Sequence, residues 1–435
     1  MPNETSRRDF LKASAAVGIG LAAAPAVLAQ GRRSASDKIR FATVGFGGKG
    51  WSNMANAAKF GEVVAMCDTD VTVRAKGMAE YPKAATFTDY REMLEVMRDR
   101  VDAVIVSTPD HTHAIISAMA IRMGKHVYCE KPLTRTVFEA RTLAKLAKDH
   151  KVATQMGNQG TAQTSLRKVA ALIKKGTFGA VKEIHCWTDR AGGWWPQGVS
   201  RPESKPTPKT VEWDLWLGPA PERPYADGYH PFAWRGWWDF GSGSLGDIGC
   251  HCMNLPFMAL DLRDPIAIQA TTSGHNRDSY PAWSIVTYEF DKRGDRGPVT
   301  LKWYDGGKTP PAELAPGIAL KPNGCLIVCE HGTLHSAGEY GGDAVLVSGE
   351  ALPDIAVEES PGHFAEWVDA IGGKAPAHSN FPNYSGPLTE TVVLGNLAVW
   401  ADGPRLEWDS KAMKVKGSSE YDSLIRPKYR DGWTL

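Results

Sequence analysis

Net charge is nearly absent from this 435-residue chain: 50 Lys and Arg stand against 49 Asp and Glu, formally +1, with no basic run. That excludes the electrostatic footprint of a nucleic-acid binder or of a protein drawn to an anionic membrane surface. Paired cysteine spacing is missing too. The 7 cysteines (Cys67, Cys129, Cys186, Cys250, Cys252, Cys325, Cys329) are odd in number and include no CxxC, so they describe neither a disulfide framework nor a zinc motif. Cys250-His251-Cys252 lacks the further ligands that a tetrahedral site needs, and no metal is expected. Long apolar runs are scarce as well. Only the stretch after Lys12 nears spanning length, and Gly18, Gly20, Pro25 and its alanines make it a poor span, which wants ~20 strongly apolar residues.

What is there begins with Ser6-Arg7-Arg8-Asp9-Phe10-Leu11-Lys12 ahead of that stretch. This is a twin-arginine leader, a receptor-read export address, and Val27-Leu28-Ala29 supplies a small-residue cleavage site. Residues 1–29 are therefore read as a signal peptide, favoured over a retained anchor. The leader implies a periplasmic or otherwise exported protein, the twin-arginine export machinery as partner, and no stable membrane span after cleavage. The remaining chain exceeds what one core usually supports, so two domains are expected.

Tryptophan is over-represented, at 15 residues. Trp187, Trp194, Trp195, Trp213, Trp216, Trp234, Trp237 and Trp238 crowd one segment, interleaved with Gly, Pro, Arg and Asp. Indole faces suit the C–H faces of pyranose rings, and a core of large side chains is the alternative. The prolines from Pro196 to Pro224 rule out regular structure there, and the tryptophans argue against a disordered linker, leaving a packed loop.

Ile39–Val44 is an apolar run of strand formers that leads into Gly45-Phe46-Gly47-Gly48-Lys49-Gly50, a G-x-G-x-x-G. The first glycine permits the turn, the second lets a pyrophosphate approach the backbone, and the third lets the next helix pack on the strand. A second strand, Val63–Cys67, ends at Asp68, near the ~20-residue spacing at which an acidic group bonds the ribose hydroxyls. That favours NAD, and Arg74 keeps NADP open. Strands at Val101–Val106, Val127–Cys129 and Val152–Met156 alternate with helices, giving a doubly wound parallel sheet. Pro109, Asp110, Glu130 and Lys131 fall at the carboxyl ends of its strands. Beyond residue 161, Val181–Trp187, Val299–Tyr304, Leu326–Val328 and Ala344–Leu346 read as strands of an open sheet, and Thr389–Trp400 as a helix.

Three motifs coincide: the glycine loop, Thr108-Pro109-Asp110-His111-Thr112-His113, and Glu130-Lys131-Pro132. Together they resemble the glucose–fructose oxidoreductase, inositol dehydrogenase and MocA (Gfo/Idh/MocA) family of NAD(P)-dependent sugar oxidoreductases. The resemblance implies an α/β protein with an N-terminal Rossmann doubly wound parallel sheet over 36–160. A C-terminal α+β substrate-binding and oligomerisation domain with an open, largely antiparallel sheet would span 161–435, its 388–402 helix packing back toward the nucleotide domain. Gly45, Phe46, Gly47, Gly50, Asp68, Thr108, Pro109, His113, Glu130 and Lys131 are expected to hold the cofactor. Lys131 would lie beside the nicotinamide and the reacting carbon, with Lys131–Pro132 cis. Asp247 and His251 share a helix face at a spacing of four and match the family's aspartate and histidine. His251 is then the base for the hydroxyl proton, Lys131 polarises the same oxygen, and Asp247 orients substrate. Asn158, Gln159, His230, Trp234, Arg235 and Trp237 are substrate-binding candidates, and a homo-oligomer is implied by the resemblance alone.

The expected function is transfer of a hydride between a tightly held nicotinamide and a sugar or glycoside hydroxyl. The periplasm offers no pool of that cofactor, so it would be loaded before export. One rival is a redox-neutral glycoside-cleaving enzyme working through a transient keto-sugar. Another, of a different class, is a non-catalytic sugar-binding protein.

Overall fold

The structure, a computed structural model, describes residues 38–435; the leader, 1–29, lies outside the described residues. Six parallel strands form the first sheet: β1 (Ile39–Val44), β2 (Gly61–Cys67), β3 (Ala85–Phe87), β4 (Ala103–Val106), β5 (His126–Cys129) and β6 (Thr154–Met156). Their order is β3-β2-β1-β4-β5-β6, the doubly wound arrangement in which ligands gather at the carboxyl ends of the strands. Helices α1 (Lys49–Ala57), α2 (Val71–Glu80), α3 (Tyr90–Val96), α4 (Asp110–Arg122) and α5 (Val137–His150) connect them. Strand β3 has only three residues, too few to show an alternation, and was not anticipated.

The short turn at the start of α1 exists because its glycines leave room for it. Gly45 has φ +72, and a Cβ there would lie 2.7 Å from the Thr108 methyl; one on Gly50 would lie 2.1 Å from the Gly45 carbonyl oxygen. On α5, Thr136 and Glu139 cap each other's backbone N–H reciprocally, satisfying donors that the first turn leaves free.

The second half carries α6 (Thr164–Lys174), β7 (Val181–Thr188), α7 (Trp213–Leu217), α8 (Gly243–Cys252) and α9 (Asn254–Leu260). Strands β8 (Ala267–Thr272), β9 (Ser284–Phe290), β10 (Val299–Tyr304), β11 (Asn323–Cys329), β12 (Gly332–Ala337) and β13 (Val345–Leu346) follow. Last come α10 (His363–Ile371), α11 (Gly386–Ala401), β14 (Leu406–Asp409), β15 (Lys414–Val415) and α12 (Asp422–Ile425). The nine strands order as β13-β12-β11-β7-β10-β9-β8-β14-β15. Only β7 and β10 pair in parallel, so the sheet is mixed and mostly antiparallel, as expected. Five of its strands (β8, β9, β12, β14, β15) were not anticipated.

One hydrophobic core runs through both halves, from Val44 and Val106 to Leu301 and Trp303. Helix α11 is central to it. Glu390 forms a bidentate pair with Arg141 of α5, at 2.7 and 2.5 Å, and Asn396 donates to the Ser242 carbonyl at the start of α8. A Cβ on Gly395 would sit 2.0 Å from the Tyr288 hydroxyl and 2.5 Å from Leu245. Gly395→Ala is therefore expected to push α11 from both α8 and β9 and to destabilise the fold by about 1–3 kcal/mol, read as a lowered midpoint in thermal unfolding.

Candidate functional site

A cavity of about 540 Å³ runs along the carboxyl ends of the parallel strands, a volume typical of small-molecule and cofactor sites. At one end lies the glycine loop. A Cβ on Gly47 would meet only Val73, at 3.7 Å, so the backbone there faces open space at the N-terminus of α1, where a pyrophosphate is favoured by the helix dipole. Asp68 lines the same end. Its carboxylate accepts from Phe46 N at 3.1 Å and Asp70 N at 3.0 Å, and burial pushes its carboxyl up. Each oxygen keeps a second lone pair for a ribose hydroxyl. The Arg74 guanidinium is turned to the Asp68 carbonyl at 2.7 Å. The donor set thus fits a dinucleotide with an unphosphorylated ribose.

The middle of the cavity is the meeting of β4 and β5. Thr108, Pro109, His113, Glu130 and Lys131 all line it. The ring nitrogens of His113 lie 2.9 Å from the Pro132 carbonyl oxygen and 2.8 Å from that of Thr108. Carbonyls only accept, so both contacts are hydrogen bonds only when the ring is protonated. Burial opposes that charge, but Cys129, Asp110 and the Pro132 carbonyl outweigh it and raise the ring to about 10. His113 thereby pins the Thr108 loop to the Glu130-Lys131-Pro132 turn, whose Lys131–Pro132 bond is cis. Glu130 accepts from Asn53 of α1 at 2.8 Å, tying that turn to the nucleotide helix.

The far end is built by α8. Gly243 has φ +62, and a Cβ there would strike the Tyr280 ring at 2.8 Å; the sharp entry it allows aims Asp247 and His251 from one helix face into the cavity. Lys131 Nζ donates to Asp247 Oδ1 at 2.7 Å and to the Asp247 carbonyl at 2.8 Å. Arg235 Nε reaches the same oxygen at 3.2 Å, and Arg190 Nε lies 3.9 Å from Oδ2. Burial would raise the Asp247 carboxyl, but Lys131 and Arg235 hold it well below the usual range. Burial would likewise lower the Lys131 ammonium, and Asp247 overrides it and holds it above its ordinary value. His251 is 4% exposed, and its Nδ1 has no hydrogen-bond partner. Burial first, then the Lys131 charge, pull its ring down to about 3. At neutral pH the set is therefore an ammonium, a carboxylate and a neutral imidazole with a free ring nitrogen.

Of the substrate candidates, Gln159, His230, Trp234 and Arg235 line the cavity. Oriented to satisfy its neighbours, the Gln159 amide donates to the Gly157 carbonyl at 2.9 Å and accepts from Lys49 at 2.8 Å. Four predicted residues are not brought to the cavity. Phe46 packs with Met54 and Met66, because its side chain points away from the loop's open side. Gly50 acts by packing beneath the loop. Asn158 is buried with Asn254 and Ser379, and Trp237 is 1% exposed with its indole N–H on the Gly228 carbonyl. Of the eight clustered tryptophans, Trp194, Trp195, Trp216 and Trp234 line the cavity, and Trp187, Trp213, Trp237 and Trp238 do not. The cluster is therefore divided between the cavity wall and the packed interior.

Several lining residues carry no signal in the sequence. Arg190 lies at 3.4 Å over the Trp194 ring and pairs with Glu339 at 2.5 Å, and Tyr340 sets its ring edge-on to His251, with centroids 4.9 Å apart. Glu339 and Tyr340 belong to a loop after β12, remote from every motif. All seven cysteines are buried and unpaired, and among the described residues no group of three or more His, Cys, Asp or Glu is placed to hold a metal.

A parallel dinucleotide sheet, a mixed sheet and a Lys–Asp–His cluster where they meet define an oxidoreductase of the Rossmann type. The chain belongs to the Gfo/Idh/MocA family. Residues 39–158 match its NAD-binding Rossmann-fold model and 162–297 its C-terminal alpha/beta model. Residues 4–28 match the twin-arginine translocation signal, which directs the chain to that export route. No helix among the described residues is long and apolar enough to cross a membrane. Among curated relatives, a protein named glycosyl hydrolase family 109 protein 1 from Shewanella sp. (strain ANA-3) is 31% identical over 202 residues, 40% of this chain and 43% of that one. An alpha-N-acetylgalactosaminidase of Shewanella oneidensis is 30% identical over the same shares. These matches span less than half the relatives' length. The WlbA dehydrogenase of Bordetella pertussis, solved with NADH and UDP-GlcNAcA, aligns with TM-score 0.61 at 17% identity over 86% of this chain and 99% of its own. An inositol dehydrogenase homologue of Azotobacter vinelandii aligns with TM-score 0.55 at 18% identity, over 86% and 98%. These likenesses establish the fold.

Removing the neighbouring cation must make the buried imidazole easier to protonate. Lys131→Met is expected to raise the His251 ring from about 3 toward its unperturbed value near ~6.5, measured by NMR titration of labelled histidine. An unchanged value would mean that the Lys131 charge is not felt there.

Proposed function

We propose that the protein is an exported nicotinamide-dependent oxidoreductase acting on a hydroxyl of a sugar or glycoside, with Lys131, Asp247 and His251 as its catalytic set. The observation that carries this reading is the convergence of those three side chains in the cavity that begins at the glycine loop. A nicotinamide bound along the cavity supplies two-electron redox chemistry beside Lys131. Lys131 donates to the oxygen of the reacting hydroxyl and stabilises the negative charge that grows as its proton leaves. The neutral His251 imidazole takes that proton. The Lys131 charge that depresses the imidazole's basicity acidifies the hydroxyl as well, so the transfer stays feasible. Asp247 keeps Lys131 charged and fixed, while Arg235 and Arg190 brace the carboxylate from the other side. Gln159 and His230 offer hydrogen bonds to further hydroxyls, and Trp234 offers an apolar face to the ring. The division into a nucleotide domain over 36–160 and a substrate domain over 161–435, with the 388–402 helix packing back, belongs to the same proposal. So does a homo-oligomer, which rests on the family resemblance.

A second reading is favoured by the names of the curated relatives: redox-neutral cleavage of a glycoside. Oxidation of a ring carbinol to a ketone acidifies the neighbouring C–H. Loss of that proton then expels the aglycone, water adds, and the ketone is reduced again. The two electrons taken first are returned last, so the net reaction is hydrolysis. This suits a chain exported to a compartment without a cofactor pool. A non-catalytic binder has no comparable need for a buried Lys–Asp pair beside an unpaired neutral imidazole.

Incubation with a panel of sugars and nitrophenyl glycosides, followed by mass spectrometry of products, separates these readings. Keto-sugar accumulation supports the first, and phenol release without net redox change supports the second. In either assay His251→Ala is expected to lose about 10²–10⁴-fold in kcat with an unaltered circular-dichroism spectrum. Full turnover by that variant would remove His251 from the base role.

A further inference from the structure

Large apolar side chains left exposed are informative when they gather in one place. Among the described residues only four Phe, Tyr or Trp side chains are exposed: Phe60, Trp194, Phe232 and Tyr340. The last three all line the cavity that holds Lys131, Asp247 and His251, with Trp194 49% and Phe232 46% exposed. We propose that Trp194 and Phe232 form an outer subsite for a second pyranose ring, so that the substrate is a disaccharide or longer glycan rather than a free monosaccharide. The proposal rests on the function given above and names its substrate class.

The two rings are set by the arginines that brace Asp247. Arg190 Nε lies 3.9 Å from Asp247 Oδ2, and its guanidinium lies 3.4 Å from the Trp194 ring centroid. Arg235 Nε lies 3.2 Å from Asp247 Oδ1, while its guanidinium is 4.5 Å from the Phe232 centroid and 4.1 Å from that of Trp234. Each guanidinium thus faces Asp247 on one side and a rim aromatic on the other. The rim rings stand one side-chain layer outside the reacting centre, where a group linked to the reacting sugar emerges.

Both rings are also held in place. Arg190 is buried and paired with Glu339 at 2.5 Å, and its cation–π contact covers one face of the Trp194 indole. The exposure of Trp194 therefore belongs to its other face and its edges. Arg235 donates to the Phe232 carbonyl at 3.1 Å, and Trp195 lies against the Phe232 ring with centroids 6.2 Å apart. Aromatic faces fixed in this way suit the C–H face of a pyranose and leave little side-chain ordering to lose on binding. A polar partner stands beside them. Glu339, partly exposed at the cavity wall, keeps acceptor sites beyond its Arg190 bond for a sugar hydroxyl, which an apolar aglycone would not use.

The test uses the full-length protein and two sets of probes. One is the methyl glycosides of common hexoses and N-acetylhexosamines in both anomers; the other is disaccharides carrying the same sugar at the reacting position. Initial rates are followed by mass spectrometry of products. Wild type is expected to show a kcat/KM about tenfold or more higher for a disaccharide than for the matching methyl glycoside. Trp194→Ala and Phe232→Ala are each expected to remove about five- to tenfold of the disaccharide value, through KM, the worth of one stacked ring, and to leave methyl-glycoside rates within about twofold. Trp194→Phe is expected to restore most of the loss, and all three variants to keep the wild-type melting midpoint. If wild type turns over methyl glycosides as well as disaccharides, or if the alanine variants spare the disaccharide or slow both sets alike, the subsite is wrong and the oxidoreductase reading stands. A loss seen with nitrophenyl glycosides and not with disaccharides would overturn the second-ring assignment in favour of an aromatic aglycone. If wild type turns over neither set, the oxidoreductase reading and the subsite fall together.

Discussion

Lys131 and Asp247 meet at 2.7 Å with both side chains largely buried, one from the end of a parallel strand and the other from a helix of the second half. Two charges at that depth are tolerated only because each desolvated group finds the other, with Arg235 and Arg190 completing the shell. Much else depends on this contact. It keeps the ammonium charged and the carboxylate ionised, and its positive member keeps the neighbouring imidazole neutral. Neither half of the fold presents all three side chains without the other.

The surrounding structure serves to hold that contact in place. The His113 ring ties the Thr108 loop to the turn that carries Lys131, and Glu130 links the same turn to Asn53 on the nucleotide helix. On the other side, Gly243 lets α8 start hard against Tyr280, and Gly395 lets α11 press against Leu245. These are steric permissions: each is a place where a single methyl group would move one partner of the pair away from the other. The ring nitrogens of His111 join the halves as well, at 3.2 Å from the Phe240 carbonyl and 3.0 Å from that of Trp216.

Legibility in the sequence followed the range of the interactions. Gly45, Gly47 and Gly50 were readable because their constraint is local backbone sterics, and Asp247 with His251 because a spacing of four is a helix face. Glu130-Lys131-Pro132 was readable only through resemblance, since nothing in its own composition distinguishes a cofactor-side lysine from a surface one. Arg190, Glu339, Tyr340 and Trp433 were not readable, because each reaches the cavity through tertiary pairing across long sequence separations. Phe46 and Trp237 went the other way: they sit inside motifs, yet their side chains serve the core. Strand β3 was too short to carry a periodic signal, whereas Ser284–Phe290 alternates in burial along its whole length and was missed although its pattern was present.

The proposed function joins export to chemistry: the leader directs the chain to the twin-arginine route, and a dinucleotide held along the cavity would place its nicotinamide beside Lys131, Asp247 and His251. One measurement tests that union directly. Protein purified without added cofactor is mixed rapidly with a glycoside it turns over, and the absorbance of reduced nicotinamide is followed through the first turnover. The account predicts that this absorbance rises on mixing without any external nicotinamide, and that it decays again if the reaction is redox-neutral. Full turnover with no change in that absorbance, or turnover only when nicotinamide is continuously supplied, would contradict it.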